Sequence, residues 1–254
     1  MHTYWKNCPT AWQGSFSGAK KKPTIVLEAS CDYHLFFWHC SYGYSGSLND
    51  INILNQSHLQ RGLIDGSFAA VESASGTVPF SIGGEQFSKL FFLVDGIYPR
   101  YSRFVKAVKQ PINEEEKRFT LFQESARKDI ERAFGVLQVK FKAVANPIHW
   151  MDMTEISNMV SSCLILHNQC VSDRVMAGDV NATYNPCNTL AAPPLTSSTT
   201  QPPNSNSCHN REPSGVQPSD VIAKILEGNR WDDLNNAIEY RRLLDALLSH
   251  FKVD

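Results

Sequence analysis

With 254 residues, 42% of them hydrophobic, and a formal net charge of −1, the chain is long enough for one domain of ordinary size with appendages. No stretch approaches the roughly 18 apolar residues that a membrane span requires, and Met1-His2-Thr3-Tyr4-Trp5-Lys6 has no apolar signal core, so a soluble, intracellular protein is expected. Seven cysteines without a CxxC spacing argue against a disulfide framework and against a zinc module.

The first predicted elements are two strands. Pro23–Ala29 is β-branched and apolar, His34–Tyr42 is rich in aromatic residues, and the turn chemistry of Ser30-Cys31-Asp32-Tyr33 joins them as a hairpin. Gly43–Ser47 breaks the run. Ile51, Leu54, His58 and Leu59 then follow helical spacing, with Ser47 or Asn49 in position to cap. Residues 65–86, punctuated by Gly66, Gly76, Pro79, Gly83 and Gly84, read as loops and short strands. Leu90–Val94 is a continuous apolar run that ends at Asp95-Gly96. Its lack of alternation predicts a strand buried on both faces, in the middle of an α/β sheet.

From Asn113 to Phe141 the period is helical. Phe122, Ala126, Ile130, Ala133, Phe134, Leu137 and Phe141 make one apolar stripe. Asn113 can cap, and Glu114–Glu116 fall in the first turn, where the helix dipole favours negative charge. A second helix opens at Asp152, with Glu155 completing a capping box, and runs through His167. It is apolar nearly all round and so expected to be buried, with His167 a core histidine rather than a ligand. Residues 189–219 are dominated by Thr, Ser, Pro and Asn, a composition that predicts a disordered linker. Leu234, Ile238, Leu244, Leu247, Leu248 and Phe251 then form an amphipathic helix, opened by Asp232 or Asp233, that must dock on the main domain or on a partner. The resulting plan is a domain at 1–173, a low-complexity linker at 174–219 and a C-terminal helix at 220–254.

Two carboxylates stand out within this plan. Asp95 ends an apolar strand, and ligand sites of open α/β sheets gather at the carboxyl ends of strands. Glu131 lies one residue from Ile130 of the helical stripe, at the border of core and solvent. Carboxylates converging from a sheet and a helix can hold divalent cations, which activate a nucleophile and stabilise a leaving oxygen at a phosphodiester. On residue type alone the plainer readings are favoured: Glu131, four residues after Arg127, as half of a surface ion pair, and Asp95 as a turn residue before Gly96.

Positive charge is spread unevenly. Between Pro99 and Lys142 eleven Lys and Arg stand against six Asp and Glu. Arg100, Arg103, Lys106 and Lys109 recur every three residues; on a helix they would form one basic face, serving either phosphates or solvent. Lys20-Lys21-Lys22 reads as a solvated loop or a weak nuclear signal.

Several segments resemble those of plant PIF/Harbinger-type transposon proteins. They are Trp5-Lys6-Asn7-Cys8-Pro9-Thr10-Ala11-Trp12, Gly46-Ser47-Leu48-Asn49-Asp50-Ile51-Asn52-Ile53-Leu54, Val94-Asp95-Gly96-Ile97-Tyr98-Pro99, Ala126–Gln138 and Leu164-Ile165-Leu166-His167-Asn168. The resemblance runs from residue 1 to about 172. It implies an RNase H-like mixed sheet flanked by helices, an Asp, Asp, Glu triad with Mg²⁺ (or Mn²⁺), DNA cleavage and joining, and a nuclear location. Implied partners are DNA and a Myb-like DNA-binding protein, with homo-oligomerisation as an option and no membrane. The family's second aspartate, in D-x-x-Y-P, corresponds to Asp95, and its glutamate, in E-R-x-F-G, to Glu131. The 35 residues between them are the family's interval.

The first aspartate would stand two positions before Met1, so that carboxylate and its opening strand are expected to be missing and catalysis impaired. Asp50 is the other family-like acidic residue near the site, supporting metal or capping its helix. Arg100, Arg103, Lys106, Lys109, Arg127 and Arg132 are expected on DNA. A rival expectation is a non-catalytic nuclear protein on the same scaffold, binding DNA or a protein.

Overall fold

A strand forms where none is expected. The computed structural model describes residues 1–18, 21–68, 79–82, 84–178 and 236–250, and in it β1 (His2–Tyr4) pairs antiparallel with β2 (Thr24–Cys31). The predicted hairpin follows, β2 pairing antiparallel with β3 (Phe37–Ser45), so the sheet order is β1-β2-β3. Residues 2–4 thus occupy one edge of the sheet. Thr3 is buried between exposed His2 and Tyr4, and its hydroxyl donates to the Ile25 carbonyl at 3.0 Å.

The hairpin turn is built by Asp32. Its Oδ1 accepts from the amides of His34 (2.8 Å) and Phe36 (3.0 Å), and its Oδ2 from the Trp38 indole (2.9 Å). With the backbone so held, Leu35 adopts a left-handed φ of 68° and buries its side chain in the core.

After α1 (Thr10–Phe16) and the hairpin, Gly46 marks a close crossing: a Cβ there would lie 2.6 Å from the Thr24 carbonyl oxygen and 2.7 Å from that of Phe16. The helix expected after it is two helices, α2 (Asp50–Gln56) and α3 (His58–Asp65), parted at Ser57. Asn49 caps α2 by accepting from the Asn52 amide at 2.8 Å, and Ser57 caps α3 by accepting from Leu59 at 2.9 Å. Asp50 is therefore the first helical residue and not the cap.

The short hairpin of β4 (Phe80–Ile82) and β5 (Glu85–Phe87) leads to β6 (Phe92–Leu93), which pairs in parallel with β7 (Phe104–Val105). This corrects the central strand expected at Leu90–Val94. The run is half-buried along its length and belongs to a two-stranded sheet. It is apolar on both sides because it divides two cores. Phe92 and Val94 pack with Leu54, Leu59, Leu63, Phe68 and Phe104, whereas Phe91 and Leu93 pack with Phe87, Val105 and Phe119.

The helix expected over 113–141 also breaks, at Lys128, into α4 (Glu114–Arg127) and α5 (Asp129–Lys140). Asn113 precedes α4 without a side-chain cap bond; instead Glu116 accepts from the Ile112 amide at 2.7 Å. The break separates two buried faces. α4 buries Phe119 and Gln123 while Phe122 of the expected stripe is 60% exposed, and α5 buries Ala133, Val136 and Leu137.

Beyond α6 (Lys142–Ala145), α7 (Met153–Met176) opens as expected, Asp152 accepting from the Glu155 amide at 2.9 Å. Only one of its faces is buried, through Ile156, Val160, Cys163, Leu164, His167 and Val171, while Ile165 and Leu166 are exposed. That face and α5 cover Leu27, Leu35 and Phe37 of the hairpin. His167 is fully buried, its Nε2 donating to the Leu35 carbonyl at 2.9 Å. Asn168 pairs with Phe37 like a neighbouring strand, accepting from its amide at 2.9 Å and donating to its carbonyl at 2.8 Å.

The C-terminal helix, α8 (Ala237–His250), docks on the main domain. Leu243 and Ala246 join the cluster of Phe87, Val105 and Phe119, and Arg242 lies 2.6 Å from Glu85 and 5.1 Å above the Phe87 ring. Asn236 accepts from the amides of Ile238 and Glu239. The expected linker at 189–219, together with Asp232, Asp233, Leu234 and Phe251, lies outside the described residues. The chain is mixed α/β, and among the described residues no helix is long and apolar enough to cross a membrane.

Candidate functional site

Asp95 follows β6 and begins a tight turn. Its Oδ1 accepts from the Gly96 amide at 2.6 Å and its carbonyl from the Tyr98 amide at 3.2 Å. The strand end that carries it is tied to α4 by Gln123, whose Nε2 donates to the carbonyls of Val94 (3.0 Å) and Val105 (3.1 Å). Gln123 is 3% exposed, so α4 fixes the height at which Asp95 emerges.

Glu131 belongs to the first turn of α5. The break at Lys128 leaves Arg127, the last residue of α4, between it and the β6 end. The Arg127 Nη1 lies 3.9 Å from Asp95 Oδ2 and 3.9 Å from Glu131 Oε1. These two carboxylate oxygens are therefore within 7.8 Å of each other, twice that distance. The surface ion pair weighed for Glu131 exists, and the same guanidinium reaches Asp95 as well.

Asp50 is the first residue of α2. Its charge, with those of Glu28 and Asp95, acts on the Tyr98 hydroxyl, which burial first and these carboxylates second push up to about 12. Tyr98 is thus a neutral phenol at physiological pH. Glu28, on β2, is itself 3.4 Å from His39 Nε2.

The six basic residues expected on DNA divide. The segment holding Arg100, Arg103, Lys106 and Lys109 is not helical, so the single basic face does not form. Arg103 turns inward: its Nε donates to the Leu90 carbonyl at 2.9 Å, its guanidinium lies 5.9 Å above the Phe68 ring, and burial lowers it to about 10. Lys106 donates to the Tyr98 carbonyl, and its ammonium is held below the usual lysine range by burial and then by the charges of Arg100 and Lys109. Lys106 thus feels the charges of Arg100, Lys109 and Asp95. Arg132 is exposed and pairs with Asp129 at 2.6 Å, and Arg127 faces the carboxylates.

Gln123 and Glu28 are not expected near the site from the sequence, and Tyr98 is expected only as part of the D-x-x-Y-P segment. Gln123 has the clearest local signal, standing four residues from both Phe119 and Arg127 and so on one helical face with them.

Both Asp95 and Glu131 offer oxygen, the donor that Mg²⁺ and Mn²⁺ prefer, and a magnesium ion that keeps its waters needs only one or two carboxylates. Among the described residues no three His, Cys, Asp or Glu side chains gather closely enough to hold a metal ion by themselves. The donor chemistry of the pair fits such an ion, with the Arg127 guanidinium as the charge it would meet there.

A family model described as plant transposon protein matches residues 1–177. No curated protein and no solved structure matches.

Proposed function

Because the chain belongs to the plant transposon protein family and is transposase-related in origin, we propose that residues 1–173 form a nuclease domain of the PIF/Harbinger three-carboxylate type, acting on DNA in the nucleus. One observation carries this reading: Asp95 from a strand end and Glu131 from a helix meet across a single guanidinium nitrogen. Asp95 and Glu131 would hold Mg²⁺ or Mn²⁺, with Asp50 as a supporting carboxylate on the Tyr98 side. Bound there, the ion supplies Lewis-acid stabilisation of negative charge at a phosphodiester.

The chain's own residues set the stage for that chemistry. Gly96 orients the Asp95 carboxylate and Gln123 fixes the strand end. Arg100, Lys106 and Lys109 supply positive charge beside it, suited to phosphates of the DNA backbone, so affinity should fall steeply with salt. A Myb-like protein and a second copy of the chain are further proposed partners.

Asp95 and Glu131 are two of the three carboxylates that the resemblance implies, so the test uses this chain beside one extended at its N-terminus by a strand that carries an aspartate two positions before Met1. The extended chain should nick supercoiled DNA with Mg²⁺ or Mn²⁺. Glu131→Gln should lower that rate by more than about 100-fold, since even outer partners of metal ligands account for 10- to 100-fold. Undiminished cutting by Glu131→Gln would refute the site. Salt-dependent binding without cutting would favour a non-catalytic DNA-binding protein.

A further inference from the structure

We propose that Arg127 is the resident counter-ion of this site, holding Asp95 and Glu131 as a pair and opposing by its charge any divalent cation that binds them. The inference rests on the assignment of these two carboxylates as cation ligands.

Arg127, also expected on DNA, lies against both acids. It is the more buried partner, its side chain 26% exposed against 61% for Asp95 and 67% for Glu131. Its position is set by the chain break: α4 ends at Arg127, Lys128 turns the backbone, and α5 brings Glu131 round. Without that cation the two acids would repel each other at short range.

Geometry bounds the opposition. A magnesium ion bonded at about 2.1 Å to either oxygen would lie no more than about 6 Å from Nη1, given the 3.9 Å between that nitrogen and each oxygen. Two positive charges against one at that range, in the dielectric of water, weaken binding by about tenfold. Screening at about 0.15 M salt reduces the effect to about threefold. The ion pairs themselves are yielding, since 3.9 Å exceeds hydrogen-bond reach and the acids are largely exposed. Neither ion pair locks the site, so the charge of Arg127 within that distance sets the affinity.

The test is direct Mn²⁺ binding to the full chain, read from the electron paramagnetic resonance of free Mn²⁺ at low and at physiological salt. Arg127→Gln should bind Mn²⁺ about tenfold tighter than the unsubstituted chain at low salt and about threefold tighter at about 0.15 M. Arg127→Lys should stay near the starting affinity, and Glu131→Gln should remove the gain. Should Arg127→Gln fail to fold by circular dichroism, Arg127→Met, uncharged and of similar reach, carries the same expectation. Equal or weaker binding by the uncharged variants, with Glu131→Gln still losing the ion, would overturn the role of Arg127 and leave the cation site standing. Mn²⁺ binding indifferent to Glu131→Gln in every background would overturn the site assignment, and the Arg127 inference with it.

Discussion

Asn168→Ala removes two hydrogen bonds from one place, those its amide makes to the N–H and carbonyl of Phe37. Each such bond contributes about 1 kcal/mol net, and a buried backbone group left without a partner adds its desolvation cost. Asn168 is half-buried, so water recovers part of that cost and the total comes to about 2–3 kcal/mol. At roughly 2–4 °C per kcal/mol for a domain of this size, the midpoint of thermal unfolding should fall by about 5–10 °C. Asn168→Asp is the sharper variant. It keeps the acceptor for Phe37 N–H but sets a carboxylate oxygen against the Phe37 carbonyl, so it should cost at least as much as alanine despite its near-identical shape. Gln169→Ala, on the exposed side of the same helix, should stay within about 0.5 kcal/mol. Urea unfolding followed by tryptophan fluorescence measures all three. If Asn168→Asp matched the unsubstituted chain, or if Gln169→Ala cost as much as Asn168→Ala, the strand-like pairing of α7 with Phe37 would not be what joins helix to hairpin.

His167 gives a pH dependence. Burial first holds its imidazole below the ordinary value, against the opposing bond to Leu35, so the unfolded chain takes up the proton before the folded one does. Its contribution is therefore complete above an unfolded pKa of about 6.5 and is lost as pH falls through and below it. Unfolding at pH 8 and pH 5.5 should show a smaller acid loss for His167→Gln, which does not titrate; equal losses would exclude His167 as the source. Leu243→Asp would bury a carboxylate among Phe87, Val105 and Phe119, at a cost of several kcal/mol, and should release α8. Trypsin should then cut at Arg241 and Arg242 faster than in the unsubstituted chain, whereas an unchanged rate would mean that this face does not hold the helix.

What was legible in the residues was short-ranged. The β2–β3 hairpin follows from β-branched and aromatic runs around Asp32, and the capping box of α7 from Asp152 and Glu155. Each is settled by hydrogen bonds within a few positions of chain, so local sequence carries enough information. Segment boundaries were less legible. Residues 113–141 have a continuous helical period, yet the helix breaks at Lys128 because its two halves bury different faces against different cores, and no periodicity records where a second core begins. The apolar run at Leu90–Val94 likewise encodes two apolar sides without saying that they belong to two clusters and a two-stranded sheet.

The same division holds at the site. Asp95 and Glu131 could be singled out from the chain, by their place in the elements and by their resemblance to a family pattern. Their meeting could not, because 35 intervening residues leave the distance between two side chains to the packing of β6, α4 and α5. Gln123 and Arg127 join those parts; Gln123 reads locally as an ordinary polar residue of a helix, and Arg127 as a partner for Glu131 or DNA without sign of its reach to Asp95. The periodic basic residues show the opposite failure: equal spacing suggests equal roles, but Arg103 turned inward to a carbonyl and a ring while Arg100 stayed exposed. Sequence by itself determined the local elements and the acidic and basic groups available. Tertiary packing decided which of those groups share a neighbourhood, since Coulomb and hydrogen-bond energies depend on distance through space and not on distance along the chain.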